Sequence, residues 1–293
     1  MIAYNPKEWF TFIFRVHRSD TVRRLFPMMI AIGVYAWLIA FAELNWVKAG
    51  TRDSLKNLTI LHSLLGFVIS MLLVFRTNTA YERWWEGRRQ WGALVNSSRN
   101  LAIKLRAAIG HRDEEQLAFF ARVIPMYARA LRSHLLSERL RLDLDELPHP
   151  EIAGWETAAH QPNKIATLIA AEVYRLHDTG RIDGHVLQTL ITEVQAFTDI
   201  CGACERIRNT PIPLSYSIFI KKFIFFYVMT MPMGFVFSLG YYVIPVVIFV
   251  FYVLTSIEII AEEIEDPFGT DNNDLPLERI ATGIQSTVAE IFS

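Results

Sequence analysis

The sequence has few cysteines and no excess of charge, and both absences narrow the classes of protein it can encode. Cys201 and Cys204 are the only cysteines among 293 residues. They are too few and too close together to hold a disulfide scaffold, and they fit a reducing environment. The 29 Lys and Arg residues balance 30 Asp and Glu residues, for a formal net charge of -1. This balance removes the bulk electrostatic argument for a nucleic-acid partner, and we expect none.

Signatures of catalysis are also missing. The sequence contains no Walker phosphate loop, no GxSxG nucleophile elbow and no HExxH zinc pair. Cys201 and Cys204 have the spacing of a thiol-redox pair, but they lie in a stretch predicted to be helical, not at a strand-to-helix junction. We interpret them as packing residues and expect no enzyme. Two alternatives stay open: a membrane-anchored redox or signalling protein that uses both cysteines, and an accessory subunit that binds a soluble partner.

Long apolar runs are what the sequence does contain. Hydrophobic residues make up 52% of the chain and the mean hydropathy is +0.24, above the soluble norm of roughly 45–50% apolar residues. Residues 25–42 carry no charge, and residues 58–75 carry only His62 as a titratable group. Residues 223–257 are uncharged and long enough for two helices, with a break expected near residues 239–242. The sequence therefore predicts four transmembrane helices.

Basic residues predict the orientation of these helices. Five Lys and Arg residues precede the first span, residues 76–222 are rich in arginine, and the turn between spans three and four is uncharged. Both termini and the central region are therefore expected in the cytoplasm. The predicted fold is an all-α membrane protein. Its predicted parts are a cytosolic amphipathic segment (1–24), transmembrane helices 1 and 2 (25–75), a helical cytosolic domain (76–222), transmembrane helices 3 and 4 (223–260) and an acidic cytosolic segment (261–293).

The central region has the pattern of packed helices. Apolar residues after the second span recur on two heptad phases: Trp84, Trp91, Leu94, Leu101 and Leu105. Such a pattern predicts that the second span continues as a long packed helix, which Gly110 ends. Gly180 is expected to separate a helix over 165–177 from another over 185–208.

A stripe of bulky apolar residues lies within the second span. Phe67, Met71 and Phe75 recur every fourth residue, which places them on one helix face. In a single subunit such a stripe contacts lipid or the core. Around a symmetry axis, several copies would instead form three hydrophobic rings, a constriction that gates by dewetting. The small residues Gly66 and Ser70 beside the stripe would let neighbouring helices approach closely.

An acidic stretch follows the fourth span. Its carboxylates Glu263, Asp266, Asp271 and Asp274 are candidate ligands for Ca²⁺, because calcium prefers oxygen ligands, although their spacing is not that of an EF-hand loop. The alternative is a solvated loop whose aspartates cap helices.

Three separated segments carry a family resemblance. They are FRTNTAYERWWEGRRQWG at 75–92, CERIRNTPIPLSY at 204–216 and EDPFGTDNNDLP at 265–276. In content and order they resemble the hallmarks of the bestrophin family, above all its bacterial members. The resemblance implies a homopentamer of four-span, all-helical subunits in the bacterial inner membrane. Around one pore, it implies a narrow neck in the lipid bilayer and a wide cytosolic vestibule.

The resemblance also assigns residues to the pore. Phe67, Met71 and Phe75 match the family's three neck positions, and His185 matches a position near the cytosolic exit. Five copies of His185 would form a ring that becomes charged near pH ~6.5. In the alternative, His185 turns outward and caps the start of its helix.

The same resemblance bears on calcium and on function. Asp271 and Asp274 match carboxylates of the calcium clasp of animal members, whereas Glu263 and Asp266 stand where that clasp has an amide. Calcium is therefore a candidate ligand only. The expected function is a passive channel for small monovalent ions that prefers anions such as chloride. A sodium or potassium channel of the same architecture is the alternative.

Overall fold

The computed structural model describes residues 21–46, 58–110, 113–137 and 159–293, and within these ranges the regular secondary structure is entirely helical. The helices are α1 Thr21–Trp46, α2 Leu58–Ile109, α3 Glu114–Leu135, α4 Gln161–Asp178, α5 Gly184–Asn209, α6 Leu214–Leu239, α7 Val243–Glu265 and α8 Leu277–Phe292. A short 3₁₀ turn, Gly240–Tyr242, joins α6 to α7. The all-α prediction is confirmed for these ranges. Most of the predicted N-terminal segment 1–24 lies outside the described residues.

Three helical stretches are long and apolar enough to cross a bilayer, judged by length and composition. They are Thr21–Trp46, Thr59–Ile109 and Leu214–Glu265. The third has 52 residues, more than twice the length needed for a bilayer core of ~30 Å at ~1.5 Å per residue. It is broken at Gly240, whose φ of 57° suits a residue without Cβ. The break predicted near residues 239–242 is confirmed, and it yields two helices of spanning length.

The chain packs as two compact units. One comprises Met1–Arg83, Pro211–Asp266 and Asp271–Asn273, and the other comprises Trp84–Thr210, Pro267–Thr270 and Asp274–Ser293. The packing boundaries after Arg83 and Thr210 differ from the hydropathy boundaries predicted after residues 75 and 222. Hydropathy ends a segment at its first charge, but Arg76 is buried in the first unit beside carboxylates. Its charge therefore does not mark the end of that unit.

The first unit is held together by α1, the first part of α2, α6 and α7. Its core consists of aliphatic side chains from all four helices, including Leu25, Ile69, Leu73, Ile220, Ile224, Val243 and Val247. Gly33 permits a close approach between α1 and α7, because a Cβ there would lie 2.9 Å from Ile248 Cδ1. These contacts determine which side of α2 is buried.

The second unit has its own core, built from the rest of α2 with α3, α4, α5 and α8. The heptad residues Trp91, Leu94, Leu101 and Leu105 are fully buried in it. Gly110 and Gly180 follow α2 and α4 with φ of 65° and 70°. In this backbone region a residue without Cβ ends a helix at little cost. The long α2 and the break at Gly180 are confirmed as predicted.

Candidate functional site

Helix α2 has two distinct faces in the first unit. Its buried face consists of His62, Ile69, Leu73, Arg76 and Ala80. Successive residues of an α-helix are rotated by about 100°, so these five positions lie along one side. They anchor α2 against the core and so decide which residues point away from it.

The predicted neck residues lie on the opposite face. Phe67 and Met71 are each two positions, or about 200°, from Ile69, and Phe75 has the same relation to Leu73. The exposed fractions of Phe67, Met71 and Phe75 are 71%, 44% and 55%. The stripe therefore takes no part in the core of its unit, and core packing is removed as an explanation for its apolar character.

Polar residues accompany the exposed stripe. Ser63, Ser70 and Asn78 are all exposed on or beside it. The hydroxyl of Ser63 donates to the Thr59 carbonyl at 3.0 Å, and that of Ser70 donates to the carbonyl four residues earlier at 2.7 Å. Asn78 lies one turn beyond Phe75. Both hydroxyls are thus satisfied within α2, and Asn78 adds an exposed amide beside the apolar side chains.

Gly66 permits a close approach within the chain. A Cβ at this position would lie 2.9 Å from the Oη of Tyr227 on α6. A larger residue at 66 would therefore require the Tyr227 side chain or the helices themselves to shift. The predicted role of Gly66 in bringing helices together holds for α6 of the same chain.

A buried ion cluster follows the stripe immediately, and sequence reasoning missed it. We call it the Arg76 cluster: Arg76, Glu258 and Glu265. The Arg76 side chain is 1% exposed, its Nη2 donates to Glu265 Oε2 at 2.6 Å, and its Nε lies 3.7 Å from Glu258 Oε2. The other oxygen of Glu265 accepts from the Ile212 amide at 2.7 Å, and its carbonyl accepts from Arg83 Nε at 2.9 Å. This cluster ties α2 to the end of α7. The sequence offers one indication of it: Arg76 is the first charged residue after the apolar run 58–75, and Glu258 is the first after the apolar run 223–257.

His185 lies at the start of α5 and is exposed. The cap of that helix is Asp183, whose carboxylate accepts from the Val186 amide at 2.8 Å. This hydrogen bond lowers the pKa of the Asp183 carboxyl, and the nearby His185 acts in the same direction. His185 is therefore not the cap of its helix. Its exposed imidazole is compatible both with an exit ring and with an outward orientation, so the ring stays a prediction.

The carboxylates of the acidic stretch have different surroundings. The carboxylates predicted as calcium ligands are Glu263, Asp266, Asp271 and Asp274. Within the described residues, no three of them converge to within 4.8 Å. Glu263 accepts from Asn273 Nδ2 at 2.7 Å and lies 3.7 Å from Arg24 Nη1. Asp266 and Asp271 are exposed, while Asp274 is buried in the second unit. The calcium site stays a prediction, and a hydrogen-bonded loop accounts for what the structure places there.

The two cysteines are buried packing residues of α5. Cys201 is 1% exposed, Cys204 is fully buried, and both are free thiols. Burial raises the pKa of each thiol to about 12. Because the thiolate is the reactive form, thiols that stay protonated at neutral pH are poor redox groups. The redox alternative thereby loses its chemical basis.

If the chain forms the channel that the family resemblance implies, replacing Cys201 and Cys204 with alanine is expected to preserve ion conduction. The double variant loses only two small buried side chains, at a cost of about 1 kcal/mol each in folding free energy. Current in planar bilayers and thermal unfolding in detergent measure the two effects. Loss of current in a double variant that still assembles would restore the redox interpretation.

Comparison with known proteins shows a matching family and several relatives. The family model described as Bacterial/Fungal Bestrophin protein matches residues 1–290. The voltage-dependent anion channel-forming protein alr2987 of Nostoc sp. is 31% identical over 291 residues, covering 98% of this chain and 92% of that protein. The voltage-dependent anion channel-forming protein sll1024 of Synechocystis sp. is 36% identical over 234 residues, covering 78% of this chain and 75% of that protein.

Solved structures share the fold. A mutant of a bacterial bestrophin homologue from Klebsiella pneumoniae superposes with a TM-score of 0.83 at 22% identity, over 92% of this chain and all of that one. A second structure of the Klebsiella homologue gives a TM-score of 0.81 at 23% identity, over 90% and 97% of the two chains. Because these identities are only 22% and 23%, the similarity shows a shared helical fold and nothing more.

Proposed function

Because the chain belongs to the bacterial and fungal bestrophin family, we propose that it forms a passive channel for small monovalent ions that prefers anions such as chloride. The observation that most directly supports this proposal is the face of α2 that bears Phe67, Met71 and Phe75. It is apolar, exposed and turned away from the core. The family's curated relatives are named as channel-forming proteins and not as enzymes, in agreement with the expectation from the missing catalytic motifs.

The proposed assembly is a homopentamer of four-span subunits in a bacterial inner membrane. The spans are α1, the first part of α2, α6 and α7, with both termini in the cytoplasm. The exposed apolar face of α2 supports this assembly, since five copies around an axis would place that face on the pore. Positive charge on the flanks of the spans supports the orientation.

The neck of this channel consists of three successive rings. Phe67, Met71 and Phe75 are separated by one helical turn each, about 6 Å along the axis. Rings of bulky apolar side chains at such spacing expel water from the passage and raise the barrier to ions. The middle ring is the most adaptable, because methionine has an unbranched, flexible side chain.

The anion preference rests on the charge that follows the neck. Beyond Phe75, α2 carries more basic than acidic residues, and Arg88, Arg89 and Arg99 are exposed. A surface with this excess attracts anions and repels cations before they reach the neck. The relatives named as anion channel-forming proteins are consistent with the same sign.

A planar-bilayer recording of the purified full chain tests the proposal. Under a potassium chloride gradient, the current is expected to reverse close to the equilibrium potential of chloride. Reversal close to that of potassium would favour the cation-channel alternative. A correctly assembled protein without current would contradict the channel and favour a signalling or accessory role.

Lowering the pH is expected to strengthen the anion preference through His185. If five copies line the exit, a change from about pH 7.5 to about pH 5.5 adds positive charge to the ring, because imidazole side chains gain protons in this pH range. Positive charge there favours anions, although the ionised Asp183 nearby offsets part of it.

The reversal potential under a salt gradient measures this effect at both pH values. His185→Ala is the matched variant, because Asp183 keeps the helix cap intact. The parent is expected to shift toward the chloride potential at low pH and the variant is not. An equal shift in both proteins would rule out the ring.

A further inference from the structure

Three metal-ligating side chains converge in the second unit, remote in sequence from the neck. They are His134 in the last turn of α3, His160 at the start of α4, and Glu205 on α5. His134 Nε2 lies 2.7 Å from Glu205 Oε1, and His160 Nε2 lies 2.8 Å from the same oxygen. The three donor atoms lie within 4.8 Å of one another, and the ring centroids are 4.5 Å apart. No other group of this kind occurs in the described part of the chain.

We propose that His134, His160 and Glu205 form a binding site for a late first-row divalent cation such as Zn²⁺. Two imidazoles and one carboxylate are a donor set that zinc uses when a fourth position is left to water. Around a tetrahedral zinc, donor atoms at ~2.0–2.1 Å from the metal are about 3.4 Å apart. The present contacts to Glu205 are shorter by less than 1 Å, so small side-chain rotations open the site. Calcium and magnesium prefer oxygen ligands and are not expected there.

Each ligand is held in position by its helix. His160 caps α4, and its Nδ1 accepts from the Asn163 amide at 3.1 Å. The His134 carbonyl accepts from Arg208 Nη1 at 2.9 Å. All three side chains are about one quarter to one third exposed, from 25% to 32%. The site is therefore open to a metal and to water as a further ligand.

The carboxylate is in the form that binds metal. Partial burial raises the pKa of Glu205, but hydrogen bonds from His160 and His134 outweigh it, and the pKa lies below its usual value. Glu205 is thus ionised at neutral pH. Both imidazoles now bond to the same oxygen of Glu205, Oε1. A bound cation would replace these two hydrogen bonds and neutralise the charge of the carboxylate.

Metal binding has a cost at His160. Since the Asn163 amide donates to Nδ1, the proton of the neutral ring lies on Nε2 and points at Glu205. A metal on Nε2 displaces that proton, and the ring then carries its proton on Nδ1. The helix-capping hydrogen bond is lost. Zinc is therefore expected to speed hydrogen exchange of the Asn163 amide while stabilising the unit as a whole.

Calorimetric titration of the chelator-stripped full chain in detergent with zinc chloride tests the site. The parent is expected to bind one Zn²⁺ per chain with an accompanying rise in Tm, and calcium chloride is expected to leave the Tm unchanged. Glu205→Gln and His134→Gln preserve side-chain size but remove one ligand each. Even loss of a hydrogen-bond partner of a ligand lowers metal affinity about 10–100-fold, so each variant should weaken zinc binding by at least about tenfold.

His177→Ala is the matched control. His177 lies 3.5 Å from Asp178, and among the described residues no third ligand converges with this pair, so this variant should keep the parent's zinc affinity. Circular dichroism establishes that each variant is folded before titration. Absence of zinc binding in the parent, or unchanged affinity in both ligand variants, would reduce the cluster to a hydrogen-bond network. The readout needs no ion current, so its failure leaves the channel proposal untouched.

Discussion

Replacing Phe67, Met71 and Phe75 together with alanine is expected to raise the single-channel current severalfold. The change removes two aromatic rings and one thioether chain from each subunit, and the widened passage admits water. Because these residues are outside the core, the triple variant should fold with little loss of stability. Recordings in planar bilayers at fixed salt measure the current, and thermal unfolding in detergent measures stability.

A control variant removes the same side chains elsewhere on the surface. Met28 on α1, Phe225 on α6 and Phe249 on α7 are exposed by 59%, 53% and 64%, and their replacement by alanine should leave the current unchanged. If the two triple variants carry the same current as the parent, the stripe faces lipid and the neck assignment is wrong.

Replacing Arg76 with methionine is expected to lower the free energy of unfolding by about 3–5 kcal/mol. The variant leaves the buried carboxylate of Glu258 and the half-buried carboxylate of Glu265 without their cation, and an uncompensated acidic group away from water is costly, whether it stays charged or takes up a proton. Thermal unfolding of the detergent-solubilised protein should show a correspondingly lower Tm. Arg76→Lys keeps the charge but loses the planar fork of donors, so its loss should be smaller.

The matched control for this prediction is Arg24→Met. Arg24 also lies beside a glutamate, at 3.7 Å from Glu263, but its side chain is 63% exposed. Exposed pairs contribute about 0–1 kcal/mol, because water screens them and side-chain entropy opposes them. Equal stability of the two methionine variants would mean that the Arg76 cluster does not hold α2 to α7.

Local features of the structure were predictable because their causes are local. Gly240 breaks the third apolar stretch, and Gly110 and Gly180 end helices, since a residue without Cβ adopts positive φ at little cost. The four-residue spacing of Phe67, Met71 and Phe75 places them on one face of any helix. The cap of α5 was less predictable, because Asp183 and His185 are both near its start and only the backbone geometry assigns that role to Asp183.

Long-range pairs lay beyond sequence reasoning. Arg76 and Glu265 are separated by 189 residues and Glu205 and His134 by 71, and no periodicity links such positions. The hydropathy boundary at residue 75 missed the Arg76 cluster for the same reason. A hydropathy profile ends an apolar run at the first charged residue, whether that residue faces water or pairs with a carboxylate inside the protein. The local sequence does not show which of the two applies.

The sequence by itself determined the helical class, the apolar spans, their breaks and the single-faced stripe, because composition, periodicity and glycine act over a few residues. The tertiary structure alone decided that the core takes the other face of α2 and leaves Phe67, Met71 and Phe75 exposed. It also decided that Arg76 is buried and that His134, His160 and Glu205 meet. Which face is covered and which charges pair depend on helices that fold back from distant parts of the chain.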